Sequence, residues 1–244
     1  MRRLHGTSGF ILLIAIVGCA AVALAQSTTN ADEIIAKNLA AKGGAEKLRA
    51  VASVRTTGHA KSARGAATLT MWTKRPNAMR QEIVSEGRTL VTGFDGTMLW
   101  AINPLMGPQA REVTGPTADR AREEANDFDS VLLDYRDKGY KVELVPTEAG
   151  APAQLRVTKK NGKVQEIYLN PTTYLEARIV TEMDLGGKKA VFATELSNYK
   201  QVDGMMVPFT IRQVVNGQPQ GEVTYDRVQF NLPIADELFK MPVK

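Results

Sequence analysis

From Ala52 to about residue 230, apolar and polar residues alternate with a period of two, broken only by short turn signals and one longer interruption. That pattern constrains the chain more than any other feature, because period two is the side-chain repeat of a half-buried strand. It predicts strands over 52–60, 66–74, 78–85, 88–94 and 97–103, then over 140–146, 153–159, 164–170, 174–184, 188–199, 206–215 and 220–230. Arg75-Pro76-Asn77, Asp95-Gly96, Asn161-Gly162, Gly186-Gly187 and Asn216-Gly217 fall between them as turns. Connections this short leave no room for βαβ crossovers, so the strands form an antiparallel meander. A sheet of about 11–12 strands must twist and curl. The expected fold class is therefore mainly β, an unclosed curled antiparallel barrel whose open mouth needs a cover.

Two helical segments can supply it. Asn30 stands as an N-cap with Glu33 at capping-box spacing, Ile34, Ile35 and Leu39 form an apolar stripe, and Gly43-Gly44 ends the helix. A short second helix follows through Leu48. Within Pro116 to Gly139, Ala121, Ala125, Phe128, Leu132 and Tyr135 recur at steps of four and three, which predicts an amphipathic helix of about 17 residues.

The first 25 residues read as a secretory signal: Arg2 and Arg3, an apolar run from Phe10 to Val17, and Ala23-Leu24-Ala25 ahead of Gln26. The apolar stretch is shorter than the roughly 20 residues a membrane-spanning helix needs. A rival cut exists at Ile16-Val17-Gly18-Cys19, which resembles a lipobox and would leave Cys19 lipidated at the first position. Both cuts place the protein outside the cytoplasm, in the periplasm or anchored to the envelope. Residues 26–244 are expected to be one domain. Cleavage after Ala25 removes the single cysteine, and with it disulfides, thiol catalysis and cysteine-based metal sites. His59 is then the only imidazole, too few for a zinc site. Arg2 and Arg3 carry two of the five net positive charges, and no five-residue basic run occurs, so nucleic acid is not an expected partner.

Catalytic spacings are absent: there is no nucleophile elbow, HExxH or phosphate loop. Gly186-Gly187-Lys188-Lys189 lacks the remaining glycine spacing and reads as a hairpin. Nine methionines, among them Met71, Met79, Met98 and Met106, suit a lining that adapts to ligands of variable shape, or ordinary core filling. No catalytic residue, metal or cofactor is expected.

The stretch TMWTKRPNAMRQEI, followed by LVTGFDGTMLWAINPLMGPQA, resembles the LolA-type periplasmic lipoprotein carriers, the outer-membrane lipoprotein-sorting proteins. Trp72, Lys74, Arg75, Pro76 and Asn77 match a W-x-K-R-P-N segment of that family. Leu90, Val91, Asp95, Gly96, Leu99, Trp100, Asn103 and Pro104 match the hairpin after it. FNLPIADELFKMP is similar to the ending of such proteins, while the rest of the second half is similar mainly in its β pattern.

The resemblance implies an incomplete barrel lidded by helices, whose apolar trough takes the acyl chains of lipoproteins or other lipids. It implies a monomer that receives cargo from an inner-membrane release complex and passes it to an outer-membrane acceptor. It implies that Arg75 is a latch to lid backbone, and a planar guanidinium with five donors suits helix-terminal carbonyls. Met79 and Trp100 rank first as lipid-binding wall residues, ahead of Trp72, Leu99 and Ile102, because alternation forbids all five from facing one way. Relatives of this kind also serve as anchored acceptors or envelope-stress lipid sensors, and a secreted hydrolase using trough carboxylates is the rival from another class.

Overall fold

The computed structural model describes residues 30–63, 65–126, 128–148, 150–184 and 188–242. The expected signal segment, Cys19 and the Gly186-Gly187 turn lie outside these residues. Among the described residues thirteen strands form one antiparallel sheet: β1 Ser53–Ser62, β2 Gly65–Lys74, β3 Ala78–Ser85, β4 Arg88–Phe94, β5 Leu99–Ile102, β6 Arg111–Glu112, β7 Lys141–Val145, β8 Gln154–Thr158, β9 Val164–Leu169, β10 Glu176–Asp184, β11 Lys189–Val202, β12 Met205–Val215 and β13 Gln218–Phe230. The strand beyond the expected number is β6, two residues long and paired only with β5.

The order across the sheet is β6-β5-β4-β3-β2-β1-β13-β12-β11-β10-β9-β8-β7. The first and last strands pair with each other, from Val54 with Phe230 to Ser62 with Gly221. The two free edges, β6 and β7, are instead consecutive in sequence. The barrel is an unclosed one, and it opens in the middle of the chain, where residues 113–140 carry the chain from one lip to the other.

Helix α1, Ala31–Ala41, starts as its cap requires: Asn30 Oδ1 accepts from the Glu33 amide at 2.9 Å. The reciprocal half of a capping box does not form, because the Glu33 carboxylate accepts from Lys37 at 2.7 Å instead. Gly43, at φ +117°, ends the helix against the β11–β12 turn, and the Met206 amide donates to the Lys42 carbonyl at 3.1 Å. Helix α2, Ala45–Arg49, follows, and α3 spans Pro116–Asn126.

The expected 17-residue helix is a correction: α3 stops at Asn126, and residues 131–139 run as successive turns. The apolar stripe serves two different cores. Ala121 and Ala125 pack with Phe94, Leu99 and Ala118, whereas Leu132 and Tyr135 pack with Ile34 and Ile35 of α1 against Leu155, Val157, Ile167 and Leu169.

Cross-strand pairing shows that these cores share one face of the sheet. Leu144, Leu155, Ile167 and Ile179 are successive partners at one end. Ile211, Val223, Ala60 and Ala67 cross the middle, then Leu69, Ile83 and Leu90, and Phe94 partners Leu99 at the far end. This is the inner face, with α1 over β7–β9 and α3 over β4–β5.

The opposite face has its own cover, the 3-10 helix Asp236–Phe239, in a segment for which the alternation predicts no element. Trp100 lies there, fully buried, with its Nε1 donating to the Phe239 carbonyl at 2.8 Å and the Arg80 guanidinium 5.5 Å from its ring centroid. A Cβ at Gly93 would overlap the Trp100 ring, so only glycine leaves that slot open. Gly93→Ala is therefore expected to lower stability by about 1–3 kcal/mol through overpacking. A red-shifted tryptophan emission and an earlier urea midpoint would show it; an unchanged midpoint would refute it.

Candidate functional site

Alternation explains why two adjacent cations stand at the end of β2. Lys74 points to the outer face, where its Nζ donates to the Ile234 carbonyl at 2.7 Å and to Asp236 Oδ1 at 2.6 Å, holding the chain that leads into the 3-10 helix. Arg75 points the other way. Its Nε donates to the Val51 carbonyl at 2.6 Å, and Nη2 to the Leu48 carbonyl in the last turn of α2 at 3.3 Å. Nη2 also pairs with Asp129 Oδ1 at 2.7 Å, and the guanidinium lies 4.9 Å from the Phe128 ring centroid. A forked cation can meet two carbonyls and a carboxylate at once, which a lysine cannot. Asp129 and Phe128 lie far from Arg75 in sequence, and no local pattern marks them as its partners.

Residues 128–139 form a strap tied to three elements. Asp129 pairs with Arg75, Asp134 takes two donors of Arg49 in α2, and Arg136 pairs with Asp32 of α1 at 2.7 Å, joined by the Tyr135 hydroxyl. The Arg49 guanidinium holds the Asp134 carboxyl below the usual carboxylate range, and Arg136 followed by Tyr135 does the same for Asp32. Helix α3 spans the lips themselves. Its apolar side packs on Phe94 and Leu99, while Glu123 accepts from Asn161 at 3.0 Å and pairs with Lys163 in the β8–β9 hairpin. Burial alone would push the Glu123 carboxyl up, but the Lys163 and Asn161 bonds outweigh it and the net shift is downward.

At the strand ends opposite Arg75 the inner face is hollow. A cavity of about 520 Å³ is lined by Ala60, Ser62, Gly65, Ala67, Ile83, Ser85, Glu86, Arg88, Leu90 and residues 103–105. The space exists because small residues of β1 and β2 stand where β8 and β9 carry leucine, isoleucine and valine. The single carboxylate of the lining, Glu86, is exposed and ion-paired with Arg88 at 3.4 Å. A further cavity of about 610 Å³ lies on the outer side, between Lys74, Ser53 and the stretch 231–235.

The register brings Met79 and Leu99 to the cavity's face, on which Met79 follows Ile83 and Gln81 toward the Arg75 rim. Trp72, Trp100 and Ile102 fall on the outer face, where Trp72 stacks with Arg55 and Trp100 fills the core beneath Phe239. Trp100, ranked with Met79 from the sequence, is thus not on the inner wall. Ile83, Leu90, Ala60 and Ala67 are lining residues that the sequence reading missed, although Ile83 shares the alternation that singled out Met79. His59 is exposed on the outer face beside Asp226.

No protein-family model and no curated protein sequence matches the chain. Solved structures do. A Vibrio parahaemolyticus domain described as an outer-membrane lipoprotein-sorting protein superposes with a TM-score of 0.55 at 14% identity, over 85% of this chain and 94% of its own. A LolA superfamily protein from Nitrosomonas europaea gives 0.55 at 13% identity, over 87% and 98%. The chain has a LolA-like fold. A DUF1329 family protein from Desulfovibrio piger shares it, at a TM-score of 0.57 and 14% identity, over 84% and 95%. In LolA-like terms, the sheet is the incomplete barrel, and α1, α2, α3 and the strap are the cover held at its rim. No helix among the described residues is long and apolar enough to cross a membrane.

Proposed function

We propose that this LolA-like protein is a non-enzymatic periplasmic carrier of acylated molecules, lipoproteins foremost, which shelters acyl chains against the inner face of its open barrel. The observation that carries the reading is the cavity of about 520 Å³, walled by alanine, isoleucine and leucine on the helix-covered face. Its size falls within the roughly 300–1,000 Å³ of small-molecule sites, and its apolar wall suits a hydrocarbon chain. A hydrolase working through two trough carboxylates would need them paired at the floor of such a space, and the one carboxylate of this lining sits at the mouth, ion-paired with Arg88. Met79 extends the wall toward the rim, Leu99 on the same face is covered by α3, and Arg75 is the latch of the cover. The secretory signal, the hand-over from an inner-membrane release complex and delivery to an outer-membrane acceptor complete the proposal, with the chain acting as a monomer.

Filling the cavity tests it. Ala67→Trp is expected to reduce uptake of a fluorescent fatty acid at least tenfold, since an indole displaces much of the space one chain needs, while the melting temperature stays close to that of the wild type. Equal uptake at equal stability would move the binding site elsewhere. Protein isolated from the cell envelope without lipid, and unable to take up the probe, would end the carrier reading.

A further inference from the structure

We propose that the outer face of β13, β1 and β2 is a docking surface for an extended acidic segment of a partner protein, anchored by one apolar side chain. The surface lies across the sheet from the inner cavity and stands whether or not that cavity holds acyl chains. Its two cations are Arg55 and Arg227. Arg55 partners Gln229 and Arg227 partners Thr57, which makes the two arginines diagonal neighbours on one face of the β1–β13 pair. Like charges this close repel. The acids of the surrounding strands do not offset them: Glu82 meets Arg80 at 2.7 Å, Asp236 meets Lys74 at 2.6 Å, Asp226 meets His59 at 3.0 Å and Glu222 meets Arg212 at 3.0 Å. Among the described residues neither Arg55 nor Arg227 has a carboxylate partner. The Arg55 guanidinium lies 5.9 Å from the Trp72 ring centroid. Stacking orients its plane and leaves its N–H donors for an incoming carboxylate.

An apolar anchor site lies on the same strands. The outer cavity of about 610 Å³ is bordered by Ser53 of β1 and Lys74 of β2, with Leu232, Pro233, Ile234 and Ala235 along one side. Ser53 Oγ is engaged by the Leu232 carbonyl at 2.7 Å, and Lys74 by the Ile234 carbonyl and Asp236, which leaves hydrocarbon to face an occupant. Ser53, Arg55 and Thr57 share one face of β1, as their partners Lys74, Trp72 and Thr70 do on β2. The cavity, the Arg55 row and the Arg227 row are thus successive steps of two residues, roughly 6.7 Å each. An extended chain laid along β1 presents its own alternate side chains at that spacing. An apolar residue seated in the cavity therefore sets acids two and four positions away on Arg55 and Arg227. A free anion has no use for the cavity, and a nucleic acid carries no aliphatic side chain to fill it. A peptide supplies both.

Fluorescence anisotropy of a labelled peptide, Glu-Thr-Glu-Thr-Leu-Thr-Glu-Thr-Glu, tests the surface, because its pattern reads alike in either chain direction. Wild type is expected to bind it with a Kd below about 1 mM, weakening as salt is added. Glutamine in place of the peptide's glutamates, or the protein variant Arg55→Gln/Arg227→Gln, should weaken binding about tenfold. Arg227→Gln alone, at an exposed position, keeps the fold and should cost about threefold. Ala235→Trp, which fills the cavity from an exposed position, should cost about tenfold. No binding by wild type below about 1 mM, or equal binding of the glutamine peptide, overturns the proposal. Equal binding by the variants at an unchanged melting temperature does the same. So does equally tight binding of a single-stranded DNA oligomer, which would make the surface a general polyanion patch.

Discussion

Lys42→Met is expected to lower the unfolding free energy by about 3–5 kcal/mol and to reverse the response of stability to mild acid. Lys42 Nζ meets Glu176 Oε1 at 2.8 Å, with side chains only 17% and 5% exposed. Burial by itself pushes the Glu176 carboxyl up; the neighbouring Lys42 ammonium outweighs it and holds the carboxyl below its ordinary value of 4.5. A depressed folded value means that the pair stabilises the protein above about pH 4.5 and that this contribution fades as pH falls further. Without the ammonium, burial, the largest influence on the carboxyl, is opposed only by the lesser hydrogen bonds from the Glu176 amide and Asn38, so the carboxyl of the variant takes up a proton more readily when folded than when unfolded. Lys42→Met should then gain stability relative to wild type as pH falls from neutral toward 4.5. Urea denaturation of both forms across that interval measures the difference, and parallel curves would sink the argument. The loss should also free α1, since Lys42 ties its end to β10 and Asn38 ties its middle to the Tyr174 carbonyl at 2.8 Å.

Arg75→Leu should change cargo exchange rather than fold. Charge-assisted bonds of about 1.5–3 kcal/mol shift a two-state cover roughly ten- to hundredfold, and Arg75 supplies such contacts to Asp129, Val51 and Leu48 together. Its loss leaves Asp129, 16% exposed at its side chain, without a cation, which drives the strap away from the rim rather than merely loosening it. Release of a bound fluorescent fatty acid should accelerate at least tenfold. Arg75→Lys should recover little, because one ammonium cannot span two carbonyls and a carboxylate. Equal release rates in all three forms at equal thermal stability would reduce Arg75 to a structural tie.

Most of the barrel is legible as alternation because antiparallel strands with one buried face must repeat every second residue. β6 escapes that signal, since two residues cannot display a period. The split of the 116–139 stripe escapes it too: consecutive turns also return a side chain every three or four residues, so Leu132 and Tyr135 continue a helical pattern after the helix has ended. Alternation places Leu99 and Trp100 on opposite faces but does not say which is inner. The usual cue, one wet face and one dry, fails because the 3-10 helix buries the outer side over Trp100 as completely as α3 buries Leu99. Arg75 could be singled out by its neighbours, yet Asp129 reaches it only through the path of the whole strap.

The pairing of β1 with β13 has a consequence for how the molecule comes into being. The Ala52 amide bonds to Asn231 Oδ1, and these residues stand 179 positions apart in the chain. Contacts of such high contact order form late, because the closure entropy must be met before the pairing rewards it. β1 through β6 can zip up as one meander, and β7 through β13 as another, each from local hairpins. Until they meet, each half exposes a full-length unpaired strand, ten residues in β1 and thirteen in β13, to any other chain. The vulnerable moment for aggregation is therefore the interval before the two meanders join, and a factor that shields a strand edge during that interval should raise the yield of native protein.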